Sequence, residues 1–329
     1  MNIFHDNPGK NLFLAPLQNV TTGPFRNFCK EFFDIGLVCT PMLYIKRLSK
    51  SPKSIKHELH GIEKESPVSV QLIGNDPSDL IKSIEFLESY KYDFLDINAG
   101  CPSKRAINSK EGGYLVKDLK TLSQLLAVAI KHSSRPVSLK TRIGFDDTFN
   151  IQDLSKIVND SGIAFITIHA RSVLNRFDNK KLDLEKVKRL KNDLEIPLVG
   201  NGDILGPISA KNYIEQTGVD ALMIGRGAMG YPQVFRDIYD YLINLKLRPF
   251  SKNNSCLKHY FKIYEKKVDE FIEGISLRYP SEHYKLAELK RNAIWFTKHL
   301  ENSSVIRAEL RKAKSIQQLK KTIDLYSQT

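Results

Sequence analysis

Leu95–Lys104 reads LDINAGCPSK, a short apolar strand that runs straight into reactive side chains. Phe94, Leu95 and Ile97 supply the apolar half. Strands ordinarily end in turn formers alone. This one ends in Asn98 and Cys101 on a turn shaped by Gly100 and Pro102, with the cations Lys104 and Arg105 directly behind. A half-exposed thiol beside positive charge is a candidate acid or nucleophile, because cations stabilise its thiolate. The plain alternative is a buried cysteine next to a loop, the commoner fate of a lone thiol.

The same construction recurs along the first 240 or so residues. Apolar runs fall at Asn11–Pro16, Leu37–Pro41, Val68–Gly74, Phe94–Pro102, Val137–Arg142, Ala164–Ala170, Ile196–Asp203 and Ala221–Gly227. Amphipathic stretches such as Ser78–Ser89, Thr121–His132 and Gln152–Asp160 separate them. Eight buried strands alternating with helices predict an α/β fold, a closed (β/α)8 TIM barrel. A doubly wound open sheet has the same periodicity and is the alternative. The strand ends favour the barrel. Lys140 and Arg142 are two apart, as are His169 and Arg171, and Asp96 and Asn98, so each pair leaves its strand on one side. In a barrel such groups converge on one mouth, at the carboxyl ends of the strands.

The last two strands end in LVGNGD and LMIGRG. Glycines there let backbone N–H groups approach an anion, with helix N-termini behind them. Gly225, Gly227 and Gly230 also spell a literal GxGxxG. A dinucleotide fingerprint opens a βαβ unit, whereas these glycines close the series of strands, so they read as a grip on a mononucleotide phosphate.

A chain of 329 residues suits one large domain plus a smaller one. The expected division is a barrel over 1–245, a polar linker over 246–255 and a small helical bundle over 256–329. Helices are predicted at His259–Ile275, Ser281–Leu300 and Ser303–Tyr326. Residues 246–329 carry 18 Lys and Arg against 9 Asp and Glu, a surplus of 9 within a total of 13. Such a concentration is the electrostatic footprint of a polyanion partner, nucleic acid above all; a solvated helical surface is the plain alternative. Cys29, Cys39, Cys101 and Cys256 lie far apart with no CxxC pair, which argues against disulfides and zinc and fits a cytoplasmic location. No apolar run reaches the roughly 18 residues that span a bilayer.

Taken together, LAPLQNVTTGPFR (Leu14–Arg26), QLIGNDP (Gln71–Pro77), DINAGCPSKR (Asp96–Arg105), LKTRIG (Leu139–Gly144), ITIHARS (Ile166–Ser172), VGNGDI (Val199–Ile204) and ALMIGRGAMGYP (Ala221–Pro232) resemble the dihydrouridine synthases. These flavoenzymes reduce uridines in RNA, chiefly tRNA. The resemblance spans almost the whole barrel, in order. It implies FMN as cofactor and NADPH or NADH as reductant, with hydride delivered to C6 of uracil and a proton from Cys101 to C5. A cysteine of ordinary pKa is mostly protonated at neutral pH and can give that proton. Lys140 and Arg142 are candidates for stabilising the charge that develops on the ring.

By the same likeness, Pro16, Leu17, Gln18 and Gln71 line the flavin, with Lys140 reaching its ring system. His169, Asn201, Gly202, Asp203, Gly225 and Arg226 hold the ribityl chain and phosphate. Asn98 matches the amide that faces the target base, and Arg142, Arg171, Lys104 and Arg105 belong to the substrate side. The chain departs from the family where Leu17, Gln18 and Asn19 replace Met-Ala-Gly, where Thr22 and Gly23 replace Asp-Arg, and at GGYLV (Gly112–Val116). Asn19 stands in for a glycine, and Asn tolerates positive φ better than most residues.

In the tail, Lys290–Arg291, Arg311–Lys312–Lys314 and Lys320–Lys321 are expected to meet RNA phosphates, with Tyr44–His57 as a second basic stretch. Removing 246–329 is then expected to spare flavin and impair RNA modification. The protein is expected to act as a monomer on tRNA, with rRNA as the alternative target. Two rivals differ in class: an FMN-dependent reductase of free pyrimidines, which has no use for the basic tail, and an RNA-binding barrel without catalysis.

Overall fold

The computed structural model describes residues 3–247, 253–275 and 281–327. Nine strands form one sheet: β1 (Leu12–Leu14), β2 (Leu37–Cys39), β3 (Leu43–Tyr44), β4 (Val68–Ile73), β5 (Phe94–Ala99), β6 (Val137–Arg142), β7 (Phe165–His169), β8 (Leu198–Asn201) and β9 (Ala221–Ile224). Eight of them lie inside the eight apolar runs. The order β2-β1-β9-β8-β7-β6-β5-β4 is joined end to end by pairing of β2 with β4, at Val38 with Val68 and Cys39 with Ser69. The sheet is therefore a closed parallel barrel, and the open-sheet alternative falls. The short β3 adds beside β4 (Leu43 with Leu72), and two residues are too few for a periodic signal.

The barrel helices are α1 (Gly23–Phe32), α2 (Ile45–Lys50), α3 (Pro77–Leu87), α4 (Lys104–Asn108), α5 (Leu119–His132), α6 (Ile151–Ser161), α7 (Leu184–Asp193), α8 (Pro207–Thr217) and α9 (Val234–Asn244). Short polar side chains start many of them. Asp76 accepts from the Asp79 amide, Asp118 from Thr121 and Asp183 from Lys186, each satisfying an N–H that the first helical turn leaves without a partner.

Alternation along each strand builds two cores. Leu95, Ile97, Leu139, Ile166, Ile168, Leu198 and Leu222 face outward under the helices. Phe13, Phe94, Phe165, Val199, Ala221 and Met223 fill the interior. Phe4 plugs the amino-terminal end, with its ring 5.8 Å from Phe13 and 5.5 Å from Phe165. That floor is apolar, so polar inward positions accumulate at the opposite end.

Four further helices follow: α10 (Asn254–Glu273), α11 (Ser281–Phe296), α12 (Ser303–Lys312) and α13 (Ile316–Tyr326). The single helix expected over Ser303–Tyr326 is two, because Ser315 accepts from the Gln318 amide and opens a new helix. Half of the expected linker, 248–252, lies outside the described residues. The helices beyond it share a core with the barrel. Phe28 of α1 sits 5.3 Å from both Tyr264 and Phe296, and Phe25 sits 6.2 Å from Trp295. Among the described residues, no helix is long and apolar enough to cross a membrane, and no cluster of His, Cys, Asp or Glu could hold a metal ion.

Candidate active site

The carboxyl ends of the strands enclose a mouth of about 950 Å³, open to solvent, with Pro16 and Leu17 on one wall and Asn98 and Cys101 on another. Cys101 is partly exposed and its Sγ donates to Ser103 Oγ at 3.4 Å. Its loop is tightly seated. A Cβ on Gly112 would lie 2.9 Å from Cys101 Cβ, and one on Gly100 would lie 3.2 Å from the Thr141 backbone.

A buried relay holds this loop from beneath. Ser138 Oγ donates to Asp96 Oδ1 at 2.6 Å, and Gln71 Nε2 donates to Asp96 Oδ2 at 2.7 Å. Asn98 Nδ2 donates to Gln71 Oε1 at 2.8 Å, and Asn98 Oδ1 accepts from the amides of Gly100 at 3.1 Å and Cys101 at 3.0 Å. The relay has a polarity. A carboxylate only accepts, so Asp96 turns the Gln71 amide, which turns the Asn98 amide, which presents its oxygen to the Cys101 turn. Burial pushes the Asp96 carboxyl up, against the opposing bonds from Gln71 and Ser138.

Asn98→Asp inserts an acceptor that faces another acceptor, a conflict worth about 1–3 kcal/mol in a buried site. It is expected to lower Tm by several degrees. Adding Asp96→Asn reverses the whole relay and should recover most of the loss. A double variant no better than Asn98→Asp in thermal unfolding contradicts the polarity.

The opposite wall is cationic. Burial first, and then the Arg142 guanidinium, push the Lys140 ammonium down to about 8. Its Nζ donates to Asn201 Oδ1 at 3.0 Å, and Asn201 Nδ2 donates to the Met223 carbonyl at 2.7 Å. Arg142 is a strut as well as a charge: it donates to the carbonyls of Gly100 (2.9 Å), Ser172 (3.0 Å) and Arg176 (2.7 Å). It thereby ties the Cys101 loop to the loop after β7. Burial and Arg171 bring its guanidinium down to about 10, so it stays cationic at neutral pH.

Two candidates lie behind the mouth rather than in it. Gln71 is 1 % exposed and engaged at both ends of its amide. Arg171 is 0 % exposed, donates Nε to the Asp178 carbonyl at 2.6 Å and pairs with Asp203, so its place on the substrate side is corrected. The reason is local: β7 ends at His169, and strand alternation no longer governs the residue two positions on. Asp203 sits at φ +49° between Arg171 and Arg226, the latter at 2.5 Å. Burial alone would raise its carboxyl, but the two guanidiniums outweigh that and hold it below its usual value. Lys104 and Arg105 are exposed outside the mouth, with Arg105 4.2 Å above the Tyr44 ring.

Phe177 completes the wall and carries no signal in the sequence beyond being aromatic in a polar loop. Arg142 lies 5.4 Å and Arg226 5.3 Å from its ring centre. Asn19 takes φ +59°, the left-handed conformation that an amide residue tolerates.

The residues present fit a flavin. His169 Nδ1, in the lining of the mouth, is buried with no hydrogen-bond partner among the described residues, and such a group needs one. Arg142 and Arg226 beside it suit a phosphate, and a Cβ on Gly225 would meet nothing closer than 3.5 Å. Burial, and then Arg142 and Lys140, hold the His169 imidazole well below its usual pKa, so it is neutral and able to donate from one nitrogen.

The family model for dihydrouridine synthase matches residues 13–328 of this chain. A tRNA-dihydrouridine synthase B of Pseudomonas aeruginosa is 36% identical over 233 residues, which is 70% of this chain and 69% of that protein. A probable tRNA-dihydrouridine synthase of Rickettsia bellii is 30% identical over 299 residues, 90% of this chain and 88% of that protein. A solved structure of 6-hydroxypseudooxynicotine amine oxidase from Pseudomonas geniculata superposes with a TM-score of 0.54 at 11% identity. That match covers 79% of this chain and 51% of the other, and is a likeness of fold alone.

Proposed function

This chain belongs to the dihydrouridine synthase family, and on that premise we propose that it reduces the C5=C6 bond of uridines in tRNA, with FMN as cofactor and NADPH or NADH as reductant. The observation that carries the reading is Cys101, a thiol held at the mouth by the Asp96–Gln71–Asn98 relay and by Arg142 on the Gly100 carbonyl. When bound, FMN supplies the hydride for C6 of the uracil ring.

The chain's own residues do the rest. Cys101 gives its thiol proton to C5 and is left as thiolate, to be reprotonated from solvent. Lys140 and Arg142 place positive charge where negative charge develops. Pro16, Leu17 and Gln18 form the wall for the ring system, while His169, Gly202, Gly225 and Arg226 take the ribityl chain and phosphate. The target base must leave its stack to reach this mouth, at a cost of a few kcal/mol.

Contacts to RNA phosphate help offset that cost, but not from every expected cation. Lys290 donates to the Ala313 carbonyl at 2.8 Å, Lys312 pairs with Glu309 at 2.7 Å and Lys320 with Glu265 at 2.9 Å. Arg311, Lys314 and Lys321 are exposed and form no ion pair among the described residues, so they are the better phosphate contacts in the tail.

Position-resolved mapping of dihydrouridine in RNA treated with the enzyme and NADPH tests the reading. Dihydrouridine in tRNA supports it. Product only from free uracil would favour the free-pyrimidine rival, and signal confined to rRNA would relocate the substrate.

A pH dependence follows from Lys140. Its folded pKa of about 8 lies below the ordinary 10.5. Between these values the unfolded chain holds a proton that the folded chain has released, so this residue makes stability rise with pH over that window. Activity runs the other way. The ammonium is present below pH 8, so turnover is expected to start falling as pH rises through 8, and Lys140→Met should be slow with that limb displaced, keeping only the decline that any general acid shows on losing its proton. A pH–rate profile at saturating RNA checks this, and an unchanged alkaline limb in the variant rules Lys140 out as its source.

A further inference from the structure

Two loops of the mouth are braced from outside the barrel, by α11. Arg291 Nη1 donates to the Asn19 carbonyl at 2.8 Å and to Glu288 Oε1 at 2.8 Å. Glu288 is 2 % exposed, and its other oxygen accepts from Tyr264 Oη at 2.7 Å and Thr22 Oγ1 at 3.3 Å. Both oxygens of a buried carboxylate are thus used, and its charge fixes Arg291 in place. The turn that Arg291 reaches is the one whose Pro16, Leu17 and Gln18 line the mouth. Bonds within the barrel secure its ends, where Thr21 Oγ1 accepts from the Leu17 amide at 3.0 Å and Arg26 Nη1 donates to the Thr21 carbonyl at 2.7 Å. Arg291 secures its apex, where Asn19 stands at φ +59°.

The second braced loop follows β9. A Cβ on Gly230 would lie 2.0 Å from the Trp295 carbonyl oxygen of α11, at φ +78°, so the loop carrying Gly225 and Arg226 rests directly on that helix. One helix therefore touches the turn for the ring system and the loop for the phosphate.

We propose that α11 is part of the cofactor site, with Arg291, anchored by Glu288, as a positioning residue that holds the Asn19 turn in its flavin-binding conformation. The C-terminal helices then set flavin affinity as well as presenting a surface to RNA, and Arg291 is withdrawn from the phosphate-contacting cations. The proposal rests on the FMN reading above.

The test uses the full-length chain and two readouts: FMN affinity by flavin-fluorescence titration, and amide hydrogen exchange over Leu17–Thr21 in the apoprotein. Arg291→Met is expected to weaken FMN binding about tenfold and to speed exchange in the turn, while exchange in α3 to α6 stays as in the wild type. Arg291→Lys keeps a cationic donor and should recover part of both effects. Lys285→Met, which removes ion pairs between α11 and α10 at 2.6 and 3.3 Å without touching the turn, should leave both readouts near wild type. Wild-type affinity and exchange in Arg291→Met overturn the proposal, as does an equal loss in Lys285→Met. A wild-type chain that does not bind FMN overturns the cofactor reading instead, and the exchange data, which need no flavin, still decide whether Arg291 holds the turn.

Discussion

Cys101→Ala is expected to lower dihydrouridine formation by about 10²–10⁴-fold, the usual contribution of a positioned general acid. FMN should remain bound and should still be reduced by NADPH, because the thiol holds nothing in the wall that takes the flavin. Asn98 Oδ1 accepts from the Gly100 and Cys101 backbone amides, so the loop keeps its support when the Cys101 side chain is shortened. The loss therefore belongs to proton transfer rather than to folding. Single-turnover measurement with pre-reduced flavin separates the steps. A variant with wild-type single-turnover rates would remove Cys101 from the acid role.

Deleting residues 246–329 is expected to abolish flavin binding together with the fold, not RNA modification alone. Phe25 and Phe28 are 0 % exposed, and their rings meet Trp295, Tyr260, Tyr264 and Phe296 of the deleted helices. Burying a Phe side chain contributes about 1.5–3 kcal/mol, and a domain has only about 5–15 kcal/mol in total. Exposing that aromatic face, while also removing the Glu288 partner of Thr22 and the Arg291 partner of Asn19, leaves little margin. The fragment 1–245 should be insoluble or colourless, with no cooperative melting by circular dichroism. A soluble fragment that binds FMN as tightly as the full chain would restore the simpler division into a flavin barrel and an RNA tail.

The barrel and the polar side chains at its mouth are legible in the chain because strand periodicity is two. Asp96 and Asn98 on β5, and Lys140 and Arg142 on β6, reach the interior by counting alone, with Ile97 and Thr141 between them on the outer face. The turn residues of NAGCP place the thiol at the rim for the same local reason. Counting stops where the strand stops. Arg171 lies two residues past His169 but beyond the end of β7, and its side chain turns inward to Asp203.

What local pattern cannot carry is the destination of a long side chain. Arg142 divides its donors among three carbonyls, Phe177 has two guanidiniums within 5.4 Å of its ring centre, and Arg291 meets Asn19 across 272 positions of chain. Strand faces follow from backbone geometry, which each residue shares with its immediate neighbours. Hydrogen-bond partners of buried polar groups follow from whatever the closed barrel and its packed helices bring within about 3 Å, and that distance exists only after folding.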